Sequence, residues 1–295
     1  MPSWQGKSKG TPFGYRIFVA IIKKSGVLPA YLLLRLVAFY YLLFSWNSSK
    51  VIYHFYRRRM HLGKLTSALK LYRNYYIYGQ TLIDKISVMA VQENKFTFNF
   101  DGEEILRNIT AMQKGGMLLS AHIGNWEIAG FLLKRLNTKI NIVIFDGEHQ
   151  KIKKYLDSVT GKQPANFIVI RNDLSHIYEI ADALKNNELI CMHADRFVEG
   201  GKTMTTDFLG QPARFPLGPF LLAAKFKVPV SFVFAMKETN LHYHFFASEI
   251  KDYSSYQKEA FTQQMLADFA AEMEKKVKDY PEQWFNYYNF WQMNE

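Results

Sequence analysis

From Phe96 onward, short runs rich in Val, Ile and Phe alternate with stretches of helical period, and no other feature constrains the fold as tightly. "KFTFNF" sets Phe96, Phe98 and Phe100 on one side of a strand. "GMLLSA" precedes a helix from Asn125, "INIVIF" precedes "EHQKIKKYLDSV", and "NFIVIR" precedes "LSHIYEIADALKNN". "ELICMHA" then leads into a Gly-rich loop. After "TTDFLG" come a helix, "GPFLLAAKF", and two strand-like runs, "VPVSFVFAM" and "LHYHFFAS"; a long amphipathic helix follows over about residues 259–280. Short apolar strands separated by helices bury both faces of a sheet, which makes the sheet mixed and largely parallel. The predicted class is α/β.

Residues 1–90 have a different pattern. "RIFVAIIKK", Val27–Phe44, "VIYHFYRRRMHLG" and "KLTSALKLYRNYYIYGQTLIDKISVMA" all carry helical period, so the expected division is a helical segment over 1–90 and an α/β domain over 91–295. Charge follows the same division. Residues 1–85 hold 14 Lys/Arg and one acid, Asp84, whereas the remainder holds 23 Lys/Arg against 25 Asp/Glu. The formal charge of +11 is therefore an N-terminal property. Basic residues set among long apolar runs such as "YLLLRLVAFYYLLF" suit an anionic membrane surface better than nucleic acid, because an interfacial anchor needs apolar area, cations and aromatic rings together. The alternative is a basic, partly buried helical subdomain.

Val27–Phe44 approaches the minimum length of a membrane span, but Arg35 sits at its centre and Pro29 near its start. A central Arg costs about 2.5–3.5 kcal/mol on insertion scales, which favours a monotopic or steeply inserted helix. Polar and mixed sequence precedes the run and no small-residue cleavage site follows, unlike a cleaved signal peptide. The single Cys191, in the apolar run "LICMH", reads as a core residue, and with no disulfide framework the default is a reducing, cytosolic side.

The richest junction is "LLSAHIGNWEIAGFLLKRL". On one continuous helix His122 and Glu127 would diverge by about 140°. They meet only if the chain bends, which Gly124 permits, with Asn125 as N-cap of a helix starting at Trp126. Glu127 then stands in the first turn, where the helix dipole favours a carboxylate. A strand-end His oriented by a carboxylate is a base-plus-orienter arrangement. Spacing alone suits a pair of caps or surface residues equally well. Ser120 lacks the glycine elbow of a nucleophile, so the acceptor must supply the nucleophile and the reaction class is direct group transfer. His193 reads as a packed residue. His242 and His244 share one strand face without a third metal ligand, and the chain has neither CxxC nor HExxH.

"AHIGNWE" resembles the H-x4-D/E motif of the lysophospholipid acyltransferase superfamily, in the form found in the bacterial lipid A late acyltransferases (lauroyl/myristoyl transferases). "NFIVIRNDLSHIYEIADALKNNELICMHADR", "TTDFLGQPARFPLGPFLLAAKFKVPVSFVF" and "YPEQWFNYYNFW" resemble later parts of that family in order and spacing, so the resemblance covers nearly the whole chain.

By that resemblance His122 is the general base and Glu127 holds its tautomer. The activated hydroxyl or amine of a lipid acceptor attacks an acyl thioester, acyl-ACP or acyl-CoA, with no cofactor, metal or covalent enzyme intermediate. Substrate binding is assigned to Asn125, Trp126, Arg171, Asp195, Arg196 and Arg214. Asp195 and Arg196 stand where glycerolipid acyltransferases carry a Phe-Pro-Glu-Gly-Thr-Arg block; this chain departs from it, which favours the lipid A-type branch. Implied partners are acyl carrier protein, an anionic lipid acceptor and the membrane surface, not nucleic acid. The implied location is the inner (cytoplasmic) membrane, with the site facing the cytoplasm. A second function class is a catalytically inactive lipid-binding or scaffold protein of the same fold.

Overall fold

The computed structural model describes residues 12–90, 95–132, 136–145, 166–171, 173–197, 200–251, 253 and 258–291. It divides into two compact units, one of residues 1–96, 147–162 and 277–290, the other of residues 97–146, 163–276 and 291–295. Along the chain the units first change at 96/97, where the sequence reading divides at 90/91, and a stretch close to the C-terminus joins the N-terminal unit.

The second unit is the α/β domain. Its seven-stranded sheet has the order β1-β9-β8-β2-β5-β3-β4, from β1 (Thr97–Asp101), β2 (Gly116–Ser120), β3 (Ile140–Phe145), β4 (Asn166–Ile170), β5 (Leu189–His193), β8 (Val230–Thr239) and β9 (His242–Ala247). Every pairing is parallel except that of β8 with β9, which is antiparallel and carries an irregularity between Lys237 and Thr239. The mixed, largely parallel sheet expected from the sequence is present. Every residue of β2 is buried, as its unbroken apolar run requires. Met117, Leu118 and Leu119 have no exposed surface, and each such side chain contributes about 1.5–3 kcal/mol.

Helices cover the sheet. Leu106 and Ile109 of α5 (Glu103–Ala111) pack with Leu118, Ile140 and Leu189. Phe269 of the last helix, Lys258–Asp279, meets Phe232 of β8, Phe215, and Phe220 of the helix Gly218–Phe226. The helix read in "LSHIYEIADALKNN" is Ser175–Lys185. The helix read in "EHQKIKKYLDSV" lies outside the described residues.

"QPARFP", which the sequence reading assigned to no element, leads directly into the helix Gly218–Phe226. It is strand β7 (Gln211–Pro216), antiparallel to β6 (Thr203–Phe208) in a separate hairpin. Leu209 and Gly210 both have positive φ at the turn, as a tight two-residue hairpin needs. Pro212 and Pro216 mask the strand in sequence; a two-stranded hairpin tolerates them because each of its strands is an edge.

The first unit is helical, as read: α1 (Pro12–Ser25), α2 (Val27–Phe44), α3 (Trp46–Arg58) and α4 (Lys64–Ala90). Ala30, Tyr31 and Leu34 of α2 pack with Ile83 and Ile86 of α4. Contact is tight enough that a Cβ on Gly79 would meet Leu34 Cδ1 at 2.4 Å. Asp84 is fully buried and accepts a hydrogen bond from the Tyr31 hydroxyl. The residues near the C-terminus complete this unit: Trp284 packs edge-on to Phe55, Tyr287 stacks on Tyr75, and Asn74 donates to the carbonyls of Glu282 and Trp284. Leu28, Leu32, Leu36, Phe39, Leu43 and Phe44 of α2 remain exposed. Among the described residues α2 is the helix long and apolar enough to cross a membrane, by length and composition.

Candidate active site

Ser120 and His193 end neighbouring parallel strands and are register partners, so β2 and β5 deliver their following loops to the same end of the sheet. Ala194 N donates to Ser120 O at 2.8 Å, carrying the pairing one step past the strands. Beyond that step, His122 and Asp195 stand at matching positions, each one residue after a fully buried alanine. Carboxyl ends of such sheets are the usual place for ligands.

Asp195 binds His122 twice. Its Oδ1 lies 2.7 Å from His122 Nδ1, and its Oδ2 accepts from the His122 backbone N–H at 2.9 Å. One carboxylate therefore fixes both the ring and the loop carrying it. The Asp195 side chain is only 2% exposed and that of His122 21%. Burial pushes the Asp195 carboxyl upward, but its pairing with His122, with Arg196 and His193 beside it, outweighs burial and holds it well below the usual carboxylate range. Burial and then the Arg196 guanidinium lower the His122 pKa, against the opposing pull of Asp195. The imidazole is consequently kept neutral, as a base must be.

The bend between His122 and α6 (Trp126–Leu132) follows from Gly124. Its φ is 66°, and a Cβ there would lie 2.0 Å from Ala235 O on β8. Asn125 N donates to that same carbonyl at 2.7 Å. The Asn125 side chain caps α6 by accepting from Ile128 N at 3.4 Å and donates to the Tyr243 hydroxyl at 3.1 Å. A residue assigned to substrate thus spends its amide on the fold, in the capping role that the sequence also gave it. Glu127 stands in the first turn of α6, half-buried. The sequence paired His122 with Glu127; the carboxylate found on Nδ1 is that of Asp195.

His193, read from the sequence as a packed residue near the site, touches His122 itself. Its Nδ1 lies 3.2 Å from His122 Nε2, and its ring meets Trp126 edge-on with centroids 4.6 Å apart. Its position as the last residue of an apolar strand suggested packing alone. The signal was the matching strand ends "LLSAH" and "CMHAD", which align only once β2 and β5 are known to be neighbours.

Arg214 donates through Nε and Nη2 to Thr203 Oγ1, at 3.1 and 2.9 Å, and its guanidinium stands 5.3 Å from the centre of the Phe197 ring. It links the hairpin to the loop that carries Asp195 and Arg196. Arg171 is not part of this cluster. It follows β4, an edge strand three strands from β2, roughly 14 Å away at ordinary spacing, and it pairs with Glu179 at 2.8 Å. His244 bonds Glu238 at 3.0 Å and lies 3.1 Å from Asp101. Among the described residues no group of three or more His, Cys, Asp or Glu is placed to hold a metal ion.

The mixed sheet carries a half-buried histidine on a buried aspartate at its carboxyl end, and the sequence comparisons give the family. Residues 70–292 match the bacterial lipid A biosynthesis acyltransferase family, and the chain belongs to that family. It is similar to the phosphatidylinositol mannoside acyltransferase of Mycobacterium tuberculosis (strain ATCC 25618 / H37Rv), 26% identical over 156 residues, covering 50% of this chain and 48% of that one. The protein of the same name from strain CDC 1551 / Oshkosh is 26% identical over 115 residues, covering 38% and 35%. The chain spans about half the length of the curated relatives it matches, or less. The crystal structure of the 1-acyl-sn-glycerophosphate (LPA) acyltransferase PlsC from Thermotoga maritima aligns over 84% of this chain and 97% of that one, with TM-score 0.37 and 15% identity, a likeness too slight to support an inference.

Proposed function

We propose that the protein is a membrane-associated acyltransferase that moves a fatty acyl group from a thioester to a hydroxyl or amine of a lipid acceptor. The observation that carries this reading is the half-buried His122 held by the buried Asp195, in a chain of the lipid A biosynthesis acyltransferase family. His122 takes the acceptor proton. The freed oxygen or nitrogen attacks the thioester carbonyl, the C–S bond breaks, and the thiolate leaves with the proton returned by the imidazolium. Asp195 keeps the hydrogen on Nδ1 and stabilises the imidazolium, and Glu127 adds a second acid at the start of α6. General acid–base assistance of this kind contributes about 10²–10⁴-fold.

The family name favours a lipid A-type acceptor, and the curated relatives are named for another glycolipid, so a sugar hydroxyl on an anionic glycolipid is the acceptor class we favour. Acyl carrier protein is the favoured donor carrier, with CoA the alternative. The exposed apolar face of α2, flanked by the basic residues of α1 and α3, would seat the protein on the cytoplasmic face of the inner membrane. Mass spectrometry of total lipids from cells carrying the wild type or His122→Ala tests the reading. One lipid class gaining an acyl chain only with the wild type supports it; identical lipid profiles would overturn it and favour the inactive scaffold.

A further inference from the structure

Both ring nitrogens of His122 meet a partner. Nδ1 faces Asp195, which is held ionised and can only accept, so the hydrogen sits on Nδ1 and the lone pair on Nε2. The contact between the two rings then has one direction: His193 Nδ1–H donates to His122 Nε2, at 3.2 Å. The lone pair that base catalysis requires therefore faces His193. An acceptor hydroxyl can use it if His193 moves aside or if His193 carries the proton.

Packing favours the second route. His193 is the last residue of β5, in register with Ser120, so its backbone is fixed by the sheet. Trp126 sits against one side of its ring at 87°. The residue is half-buried, which leaves part of it open to solvent.

We propose that His193 is the proton-accepting end of a two-imidazole relay, standing between the lipid acceptor and His122. This deepens the acyl-transfer reading and rests on His122 as the ultimate base. As the acceptor O–H breaks, its proton bonds to His193 Nε2, while the hydrogen of His193 Nδ1 passes to His122 Nε2. His122 becomes an imidazolium facing Asp195. The oxygen electron pair forms the C–O bond to the thioester carbonyl, and collapse of the adduct breaks the C–S bond. The reverse passage, from His122 Nε2 to His193 Nδ1 and from His193 Nε2 to sulfur, protonates the thiolate and restores both rings. Burial, and then the neighbouring His122, lower the His193 pKa well below its ordinary value, against the pull of Asp195 and with the help of Arg196, so the relay starts from two neutral rings.

The test has two arms, both on the full chain in detergent. Nitrogen-15 NMR of labelled histidines should show His122 and His193 each with its hydrogen on Nδ1. A His193 with its hydrogen on Nε2 could not donate, and the relay would be wrong. In the second arm, thiol release from palmitoyl-CoA and acyl transfer are followed with the host's total lipid extract as acceptor. Transfer by His193→Ala should fall by about a hundredfold and recover at least partly with added imidazole. His193→Phe, which keeps a ring against Trp126, should show the same loss without rescue. A wild type that transfers while His193→Phe matches it would sink the relay alone; a wild type inert with both CoA and acyl carrier protein thioesters would sink the acyl-transfer reading as well.

Discussion

Among the described residues the α/β unit holds two histidine–carboxylate constellations that differ in the exposure of the carboxylate more than in contact distance. At the ends of β2 and β5, His122 meets Asp195 at 2.7 Å with the carboxylate side chain 2% exposed. At the sheet edge, His244 meets Glu238 at 3.0 Å and Asp101 at 3.1 Å, with the acids' side chains 33% and 65% exposed. Water screens the edge group, and exposed ion pairs contribute about 0–1 kcal/mol. Burial removes that screening at the centre and leaves each charge dependent on its neighbours. The same residue types thus make a surface contact in one place and a device for setting basicity in the other.

The sharpest way to break this comparison is to remove one histidine from each group. His122→Ala should lower acyl transfer by about 10²–10⁴-fold, whereas His244→Ala should leave it within about twofold. Equal losses in the two variants, both still folded by circular dichroism, would erase the distinction.

A smaller effect is expected in the backbone beneath the central site. Gly124→Ala incurs the left-handed penalty of about 1–2 kcal/mol and drives a Cβ onto Ala235 O, 2.0 Å away in ideal geometry. Gly210→Ala, at φ 75° with nothing within 4 Å, incurs the first cost only. Thermal unfolding should therefore fall further for Gly124→Ala, with activity falling alongside it. Similar shifts for the two variants would mean that the loop beside β8 yields easily.

The pH profile should show a still smaller difference. On the proposed mechanism His122 works as the neutral ring, so kcat/KM should rise with pH through its pKa. Burial and Arg196 lower that pKa against the pull of Asp195, with the neutral His193 ring on Nε2, so the acid limb should lie below 6.5. Arg196→Gln removes a positive charge, makes protonation easier and should move the limb to higher pH. A limb that moves down instead would place the guanidinium's influence elsewhere.

Much of the architecture was legible because apolar runs mark it directly. Val27–Phe44 and Lys64–Ala90 are helices over the ranges read, and β2, β5 and β8 coincide with the Leu-, Ile- and Val-rich stretches. Local chemistry was legible too: Gly124 bends the chain and Asn125 caps α6. What escaped depends on strand order. Asp195, assigned from the sequence to substrate binding, lies 73 residues from His122 and becomes its neighbour only because β5 inserts beside β2. The contact of His193 with His122 escaped for the same reason, and β7 because two prolines disguise a strand that pairs on one side.

The central claim is that Asp195 orients the catalytic imidazole. Its most direct test is kcat/KM for acyl transfer by Asp195→Asn beside Glu127→Gln, with His122 tautomers read by NMR in each. Asp195→Asn keeps the shape but removes the acceptor that holds hydrogen on Nδ1, a change that costs about 10⁴-fold in the serine protease triad. The expected result is a loss of at least a hundredfold with a shifted tautomer for Asp195→Asn, and a loss nearer tenfold with the tautomer intact for Glu127→Gln. The reverse order, with His122 losing its Nδ1 hydrogen only in Glu127→Gln, would contradict the account.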